Sequence, residues 1–346
     1  MRKMKAAVLY EINKPLVIDE VEVPDPEHGQ VLVDLKYTGL CHKQLEEMTG
    51  KRGDDPYLPH LLGHEGAGIV EEIGPGVTHV KPGDHVVLGW MKGEGINSEP
   101  PNYNTGGKKL NAGWITTFNE KAVVSENRVT AMHRDMPFDV ASLLGCAVTT
   151  GLGVVRRVAK MEPGKNVVVF GVGGIGLNVV QSAALCGAAR VIAVDVSDEK
   201  LALAQRVGAT DLVNASDGKD LDRVMELTGG LGADYCFEAV GNARVMERAY
   251  EVTGAQGLTV LIGVPELGDK LCIDPIPLYL GRGLTGCHGG DTVKEEDIPY
   301  CVDMYMDGKL KLDELITERI KLEDINESFA RMQEKQLVGR AVVEFD

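Results

Sequence analysis

The chain runs to 346 residues, enough for two compact cores or one large barrel. Its formal net charge of -16 opposes general attraction to nucleic acid or anionic lipid, and no basic patch interrupts the acidic balance. The 42 glycines, about 12% of the chain against roughly 7% usual, predict many tight turns and close backbone approaches.

The start, Met1-Arg2-Lys3-Met4-Lys5-Ala6-Ala7-Val8-Leu9-Tyr10, is basic but reaches Glu11 before a signal-peptide core develops, so the mature protein is expected to begin near Met1. From Lys5 to about Val148, short apolar runs (Ala6–Val8, Val31–Leu35, Ala67–Ile73, Val86–Leu88, Phe118–Val124) alternate with Gly, Pro and Asp turns, the pattern of a strand-rich region. After Thr149 buried-strand candidates Val167–Phe170, Val191–Val194, Tyr235–Glu238 and Thr259–Ile262 are separated by amphipathic segments, which predicts a parallel, doubly wound sheet. The most apolar stretch, Val167 to Val196, is broken by glycines and polar residues and reads as strand-turn-helix-strand rather than a membrane span. Two further helices, near Val293–Asp307 and Leu322–Lys335, precede a last strand Gly339–Phe345; this tail has no core of its own and is expected to pack on the first region. The expected division is therefore 1–148, 149–288 and 289–346. Seven cysteines, an odd number at irregular spacing, read as thiols or metal ligands and point to a reducing, cytoplasmic setting.

The first strand of the second region leads into Gly171-Val172-Gly173-Gly174-Ile175-Gly176. In such a loop the first glycine permits a sharp turn, the second lets backbone approach a pyrophosphate, and the third lets helix and strand pack closely. A glycine-rich turn alone has the same spacing, but this one lies between a strand and a helix, and Asp195 ends the next strand, where a carboxylate binds the adenosine ribose hydroxyls. That acid also repels a 2′-phosphate, so the expected cofactor is NAD rather than NADP.

In the first region Gly39-Leu40-Cys41-His42, Gly63-His64-Glu65-Gly66 and Leu144-Gly145-Cys146 place thiols, imidazoles and a carboxylate beside glycines. Two thiolates and one imidazole suit zinc and leave a coordination position open. The spacing is too wide for a compact zinc motif, and on the residues alone buried thiols with a structural histidine stand beside the metal reading.

These segments, with Val80-Lys81-Pro82-Gly83-Asp84-His85-Val86, Gly145-Cys146-Ala147-Val148-Thr149-Thr150-Gly151, the glycine loop and Phe237-Glu238-Ala239-Val240-Gly241, occur in an order that resembles the zinc-containing medium-chain alcohol dehydrogenases along nearly the whole chain. The resemblance implies a GroES-like β-rich catalytic domain holding zinc, joined to a Rossmann domain holding NAD, with the site between them. It implies Cys41, His64 and Cys146 as zinc ligands and Glu65 as an adjacent acid able to approach the metal. His42 and Arg340 fall at positions facing the cofactor pyrophosphate, and Val240 joins Gly171, Gly173, Gly174, Ile175, Gly176 and Asp195 among the cofactor-binding residues.

Three positions depart from the family. Lys43 stands where many relatives have a hydroxyl that takes the alcohol proton, Gln44 where an Asp bonds the ligating histidine, and Glu46 where some have a relay histidine. Lys43 either moves the proton or binds an anionic or polyhydroxylated substrate, or it faces solvent while water or the ribose carries the proton. Trp90 to Gly113, where relatives often hold a second zinc, has no cysteine, so one zinc per chain is expected and the segment reads as a polar connector or a substrate lid. Cys186, Cys236, Cys272 and Cys301 read as buried packing residues, and Cys287-His288 as structural.

The expected activity is hydride transfer between NAD and a secondary alcohol or its ketone, with a lean toward a sugar, polyol or cyclitol because Phe and Trp are few and Lys43-Gln44 is polar. Alternatives are a metal-free reductase of an activated alkene or another carbonyl, and a non-catalytic NAD- or zinc-binding relative. The expected partners are a small alcohol or ketone and a second copy of the chain, as homodimer or homotetramer, with neither nucleic acid nor membrane.

Overall fold

The computed structural model describes residues 2–51 and 53–346; Met1, on which the expected mature start rests, lies outside them. The chain forms two compact units, one of Met1–Cys146, Val293–Gly308 and Ile316–Asp346, the other of Ala147–Thr292 and Lys309–Leu315.

In the first unit the strands are β1 (Arg2–Leu9), β2 (Val17–Val23), β3 (Gln30–Gly39), β4 (His60–Leu61), β5 (Glu65–Ile73), β6 (His85–Gly89), β7 (Tyr103–Thr105), β8 (Lys108–Leu110), β9 (Lys121–Ser125) and β10 (Val129–Ala131). Five of them form a sheet in the order β4-β1-β2-β7-β8. Alternation explains the pairing of β1 and β2: Met4, Ala6, Val8, Val21 and Val23 turn inward, while Lys3 on the outer side pairs with Glu20 at 2.5 Å. The segment expected as one polar connector contains instead the β7–β8 hairpin, turned at Gly106-Gly107 and seated by Tyr103, whose hydroxyl accepts the Val123 N–H at 2.8 Å.

The second sheet runs β10-β6-β5-β3 and continues into the tail strands β18 (Arg340–Glu344) and β17 (Ile316–Ile320), with β9 also on β3. Leu322, Ile325, Phe329, Met332, Ala341 and Val343 of the tail share one core with Val31, Leu35, Leu62 and Phe118, and the Phe118 and Phe329 rings lie 5.8 Å apart. Burying such side chains contributes roughly 1.5–3 kcal/mol each, which explains why the tail docks here. Lys309–Leu315 depart from the rest of the tail, because Gln181 Oε1 accepts the Lys311 N–H at 2.8 Å and Arg206 pairs with Glu314 at 3.1 Å.

The second unit carries six parallel strands, β11 (Asn166–Phe170), β12 (Arg190–Asp195), β13 (Asp211–Asn214), β14 (Ala233–Glu238), β15 (Thr253–Leu261) and β16 (Gly283–Gly286), in the order β13-β12-β11-β14-β15-β16. Val168, Phe170, Ile192, Val194 and Cys236 form its core. The strand order reverses between β11 and β14, and ligands of such sheets bind at the carboxyl ends of the strands at that point. Among the described residues no single helix is long and apolar enough to cross a membrane.

Candidate active site

Cys41 follows β3 as the N-cap of the short helix His42–Met48, His64 immediately precedes β5, and Cys146 follows the 3-10 turn Ser142–Gly145. Strand pairing brings these distant residues together. Thr38 of β3 lies opposite Gly66 of β5, and Glu65 lies opposite Gly89 of β6. Gly145 packs so tightly on this edge that a Cβ there would fall 2.1 Å from Leu88 O and 2.9 Å from Glu65 Cβ, so no other residue allows the following Cys146 its place. One ligand atom from each of Cys41, His64 and Cys146 lies within 4.8 Å of the others.

The donors fit zinc. Cys146 hydrogen-bonds Cys41, which pulls the Cys41 thiol well below its ordinary pKa and pushes Cys146 well above it; a metal held here needs both as thiolates, so its binding releases protons. Burial works against a charged His64, yet the Cys41 sulfur beside it raises the imidazole overall. His64 Nδ1 lies against Gln44 Nε2, leaving His64 Nε2 and Gln44 Oε1 buried with no hydrogen-bond partner among the described residues. A half-turn of the Gln44 amide lets Oε1 accept Nδ1–H and frees the Nε2 lone pair for a metal, which accounts for both atoms at once.

Glu65 is not part of the three-ligand group. It is fully buried, its Oε1 accepts from Arg340 Nη2, and Arg340 Nη2 also donates to Leu40 O at 2.8 Å. Burial raises the Glu65 pKa, with Arg340 opposing. Arg340, expected at the cofactor pyrophosphate, is buried beside Glu65, where a buried carboxylate requires a cation. A Cβ on Gly39 would lie 2.7 Å from Glu65 Oε1, so Gly39 makes the room for this pair. His42 is exposed beside Cys41. Lys43 is partly exposed and its Nζ donates to Glu47 Oε1 at 2.7 Å, a partner one helical turn on that i,i+4 spacing could have revealed. Of the thiols expected to pack inside, Cys236 and Cys301 are buried, Cys186 is half-buried and Cys272 is exposed, because Cys272 lies in an irregular segment after β15 rather than in a strand.

The 90–113 segment is fastened at Ile96 by Glu126, a residue missed in the sequence, which also holds the turn at Thr78 and His79. Burial pushes its carboxyl up, but N–H donors from Ile96, Thr78 and His79, at 2.8, 2.6 and 2.9 Å, bring it below the ordinary value. Nearby Lys294 is buried and donates to Asn127 O at 2.9 Å. Burial, with Arg128 adding repulsion against the pull of Glu295, lowers its pKa to about 7.

In the second unit Gly171 takes φ +83, Gly173 has open space on its Cβ side, and a Cβ on Gly176 would fall 1.9 Å from Gly171 O. Gly173 is the N-cap of the helix Gly174–Leu185 and offers no side-chain cap, so its N-terminal N–H groups remain for an anion, with Ile175 in the first turn. Asp195 Oδ2 accepts the Val172 N–H at 3.0 Å, and Oδ1 accepts Val196 and Ser197 N–H at 2.8 and 3.1 Å. Val240 borders the loop, since a Cβ on Gly171 would meet its Cγ2 at 2.5 Å.

An alcohol dehydrogenase GroES-like domain matches residues 27–134, and a zinc-binding dehydrogenase domain matches residues 174–305. S-(hydroxymethyl)glutathione dehydrogenase of Paracoccus denitrificans is 37% identical over 99% of this chain and 100% of its own. The chain belongs to the zinc-dependent medium-chain alcohol dehydrogenase family. The class-3 alcohol dehydrogenase of Pisum sativum is likewise 37% identical, over 96% of this chain and 95% of its own. Among solved structures, an alcohol dehydrogenase zinc-binding domain protein from Burkholderia ambifaria superposes with a TM-score of 0.94 at 29% identity, over 100% of this chain and 99% of that one. Benzyl alcohol dehydrogenase from Acinetobacter calcoaceticus gives 0.90 at 26% identity over 100% of both. The family is zinc-dependent and works with NAD, and the three-ligand cluster and the glycine loop are what this chain brings to those two cofactors.

Proposed function

We propose that this chain is a cytoplasmic, zinc-dependent, NAD-linked dehydrogenase that interconverts an alcohol and its carbonyl compound. The observation that carries the reading is the convergence of one ligand atom from each of Cys41, His64 and Cys146 within 4.8 Å of one another. When bound, zinc supplies Lewis acidity at the alcohol oxygen and NAD supplies the hydride acceptor. Cys41, His64 and Cys146 hold the metal, and Gln44 orients His64. Glu65, restrained by Arg340, keeps a carboxylate beside the cluster without occupying a ligand position. Lys43, two residues after Cys41 and ion-paired with Glu47, passes an ammonium proton to the Glu47 carboxylate and then, as the free amine, takes the hydroxyl proton. The glycine loop receives the pyrophosphate, and Asp195 favours NAD over NADP. A reducing compartment suits a site that depends on two thiols.

An alcohol substrate is supported by relatives that act on S-(hydroxymethyl)glutathione and on benzyl alcohol, and the lean toward a hydroxyl-rich one rests on the partly exposed, polar Lys43. A homodimer is supported by β16, an open sheet edge flanked by the exposed side chains of Ile276, Leu278, Tyr279 and Leu280. The deciding experiment measures zinc by elemental analysis and NADH formation with a panel of simple alcohols, S-(hydroxymethyl)glutathione, sugars and cyclitols. One zinc per chain and NAD⁺ reduction by at least one alcohol are expected; no zinc after metal-replete purification, or no turnover across the panel, overturns the reading.

A further inference from the structure

Glu238 ends β14 opposite Phe170, at the reversal of strand order where this kind of sheet takes its ligand. It is fully buried. Its Oε1 accepts the Val240 and Gly241 N–H groups at 2.8 and 2.9 Å, while Oε2 is buried with no hydrogen-bond partner among the described residues. Its main-chain oxygen accepts Ile262 and Gly263 N–H at 2.8 and 3.0 Å. One residue thus fastens the ends of β14 and β15 from beneath.

The surroundings are packed backbone on backbone. A Cβ on Gly263 would fall 2.0 Å from Gly241 N, and Val240 stands against Gly171, the first glycine of the dinucleotide loop. Burying a carboxyl group with one oxygen unsatisfied is unfavourable, and such groups gather where function requires them. Nothing in the hydride chemistry employs Glu238.

We infer that Glu238 is the positioning residue of the dinucleotide site: by drawing the Val240 and Gly241 N–H groups inward it holds the loop that borders Gly171, so the cofactor meets a preformed edge. The inference rests on the NAD reading above. Without the carboxyl group, two main-chain N–H groups lose their acceptor and Val240 is free to swing across Gly171, so ordering the loop becomes part of the work of binding.

The test uses zinc-loaded wild-type protein, Glu238→Leu and Glu238→Gln, with NADH affinity read by fluorescence titration well below each Tm, alongside zinc content. Glu238→Leu is expected to raise the NADH Kd at least about tenfold with zinc unchanged. Glu238→Gln, whose Oε1 accepts both N–H groups, is expected to recover most of that loss. A purely structural residue would lower Tm and leave the NADH Kd of the folded protein alone; Glu238→Leu within threefold of wild type therefore overturns the inference. If Glu238→Leu does not fold, amide exchange in the wild type decides: Val240 and Gly241 N–H must be protected before NADH is added, and protection that arises only with NADH refutes a preformed edge. Wild-type protein that binds no NADH removes the NAD reading itself, and the inference with it.

Discussion

Replacing Lys294 with Met should make the first unit more stable, by an amount that depends on pH in a calculable way. The native-state pKa of about 7, against an ordinary 10.5, corresponds to roughly 5 kcal/mol of penalty for keeping an ammonium buried. Below pH 7 both folded and unfolded chains are protonated and the whole penalty is present. Between pH 7 and 10.5 the unfolded chain holds a proton that the folded chain has released, so stability rises with pH and the penalty shrinks to about 2 kcal/mol at pH 9. Lys294→Met removes the charge, and losing the bond to Asn127 O returns about 1–3 kcal/mol of destabilisation at every pH. The variant should therefore exceed wild type by about 2–4 kcal/mol at pH 6, and the difference should fall by about 3 kcal/mol at pH 9. Urea unfolding followed by tryptophan fluorescence reports on this unit, since Trp90 and Trp114 both belong to it. A wild-type-to-variant difference that stays constant from pH 6 to 9 would refute the reasoning.

Gln44→Leu should speed chelator-driven zinc loss by about 10- to 100-fold, with Gln44→Asp restoring retention; equal release rates would show that Gln44 does not orient His64. Lys43→Ala should lower kcat by roughly 10² to 10⁴ with zinc content intact, and an unchanged kcat assigns the proton to water or the ribose. For cofactor choice Asp195→Asn is cleaner than Ala, because the amide oxygen can still hold the loop that Val172 N–H anchors. It should cut the preference for NAD⁺ over NADP⁺ by at least about tenfold in paired titrations, near 1.4 kcal/mol, and an unaltered preference would place the ribose elsewhere.

The hydrophobic pattern exposed the strands whose residues are apolar in succession, such as β11 and β12, and those marked by a short apolar run between turn residues, such as β3 and β5. It passed over β2, where Asp19, Glu20 and Glu22 outnumber the inward valines, and β16, where Gly-Leu-Thr-Gly has too little side chain to announce an edge strand. The β7–β8 hairpin was hidden because its anchor, Tyr103, sits among Asn, Pro and Gly. At the site the pattern was uneven. The glycine loop is contiguous, so its turn, its open face and its tight packing could each be assigned to a residue. The metal cluster is assembled from positions 41, 64 and 146, whose spacing contains no geometry, and only the family resemblance joined them. The Arg340–Glu65 pair could not be read, since the two lie 275 residues apart in sequence and meet through the β5-β3-β18 pairing.

The Glu126 carboxylate has a consequence for how the 90–113 segment fails. A staple made of one side chain and three main-chain N–H groups forms as soon as the chain folds, needing neither a metal supply nor an oxidant. Chelators that strip the cluster at Cys41, His64 and Cys146 should leave this segment in place. Its weakness is protons: with the folded pKa below 4.5, the stabilisation is complete above that value and disappears as pH falls through the folded one. Acid, rather than metal starvation, is the condition that should loosen its hold at Ile96.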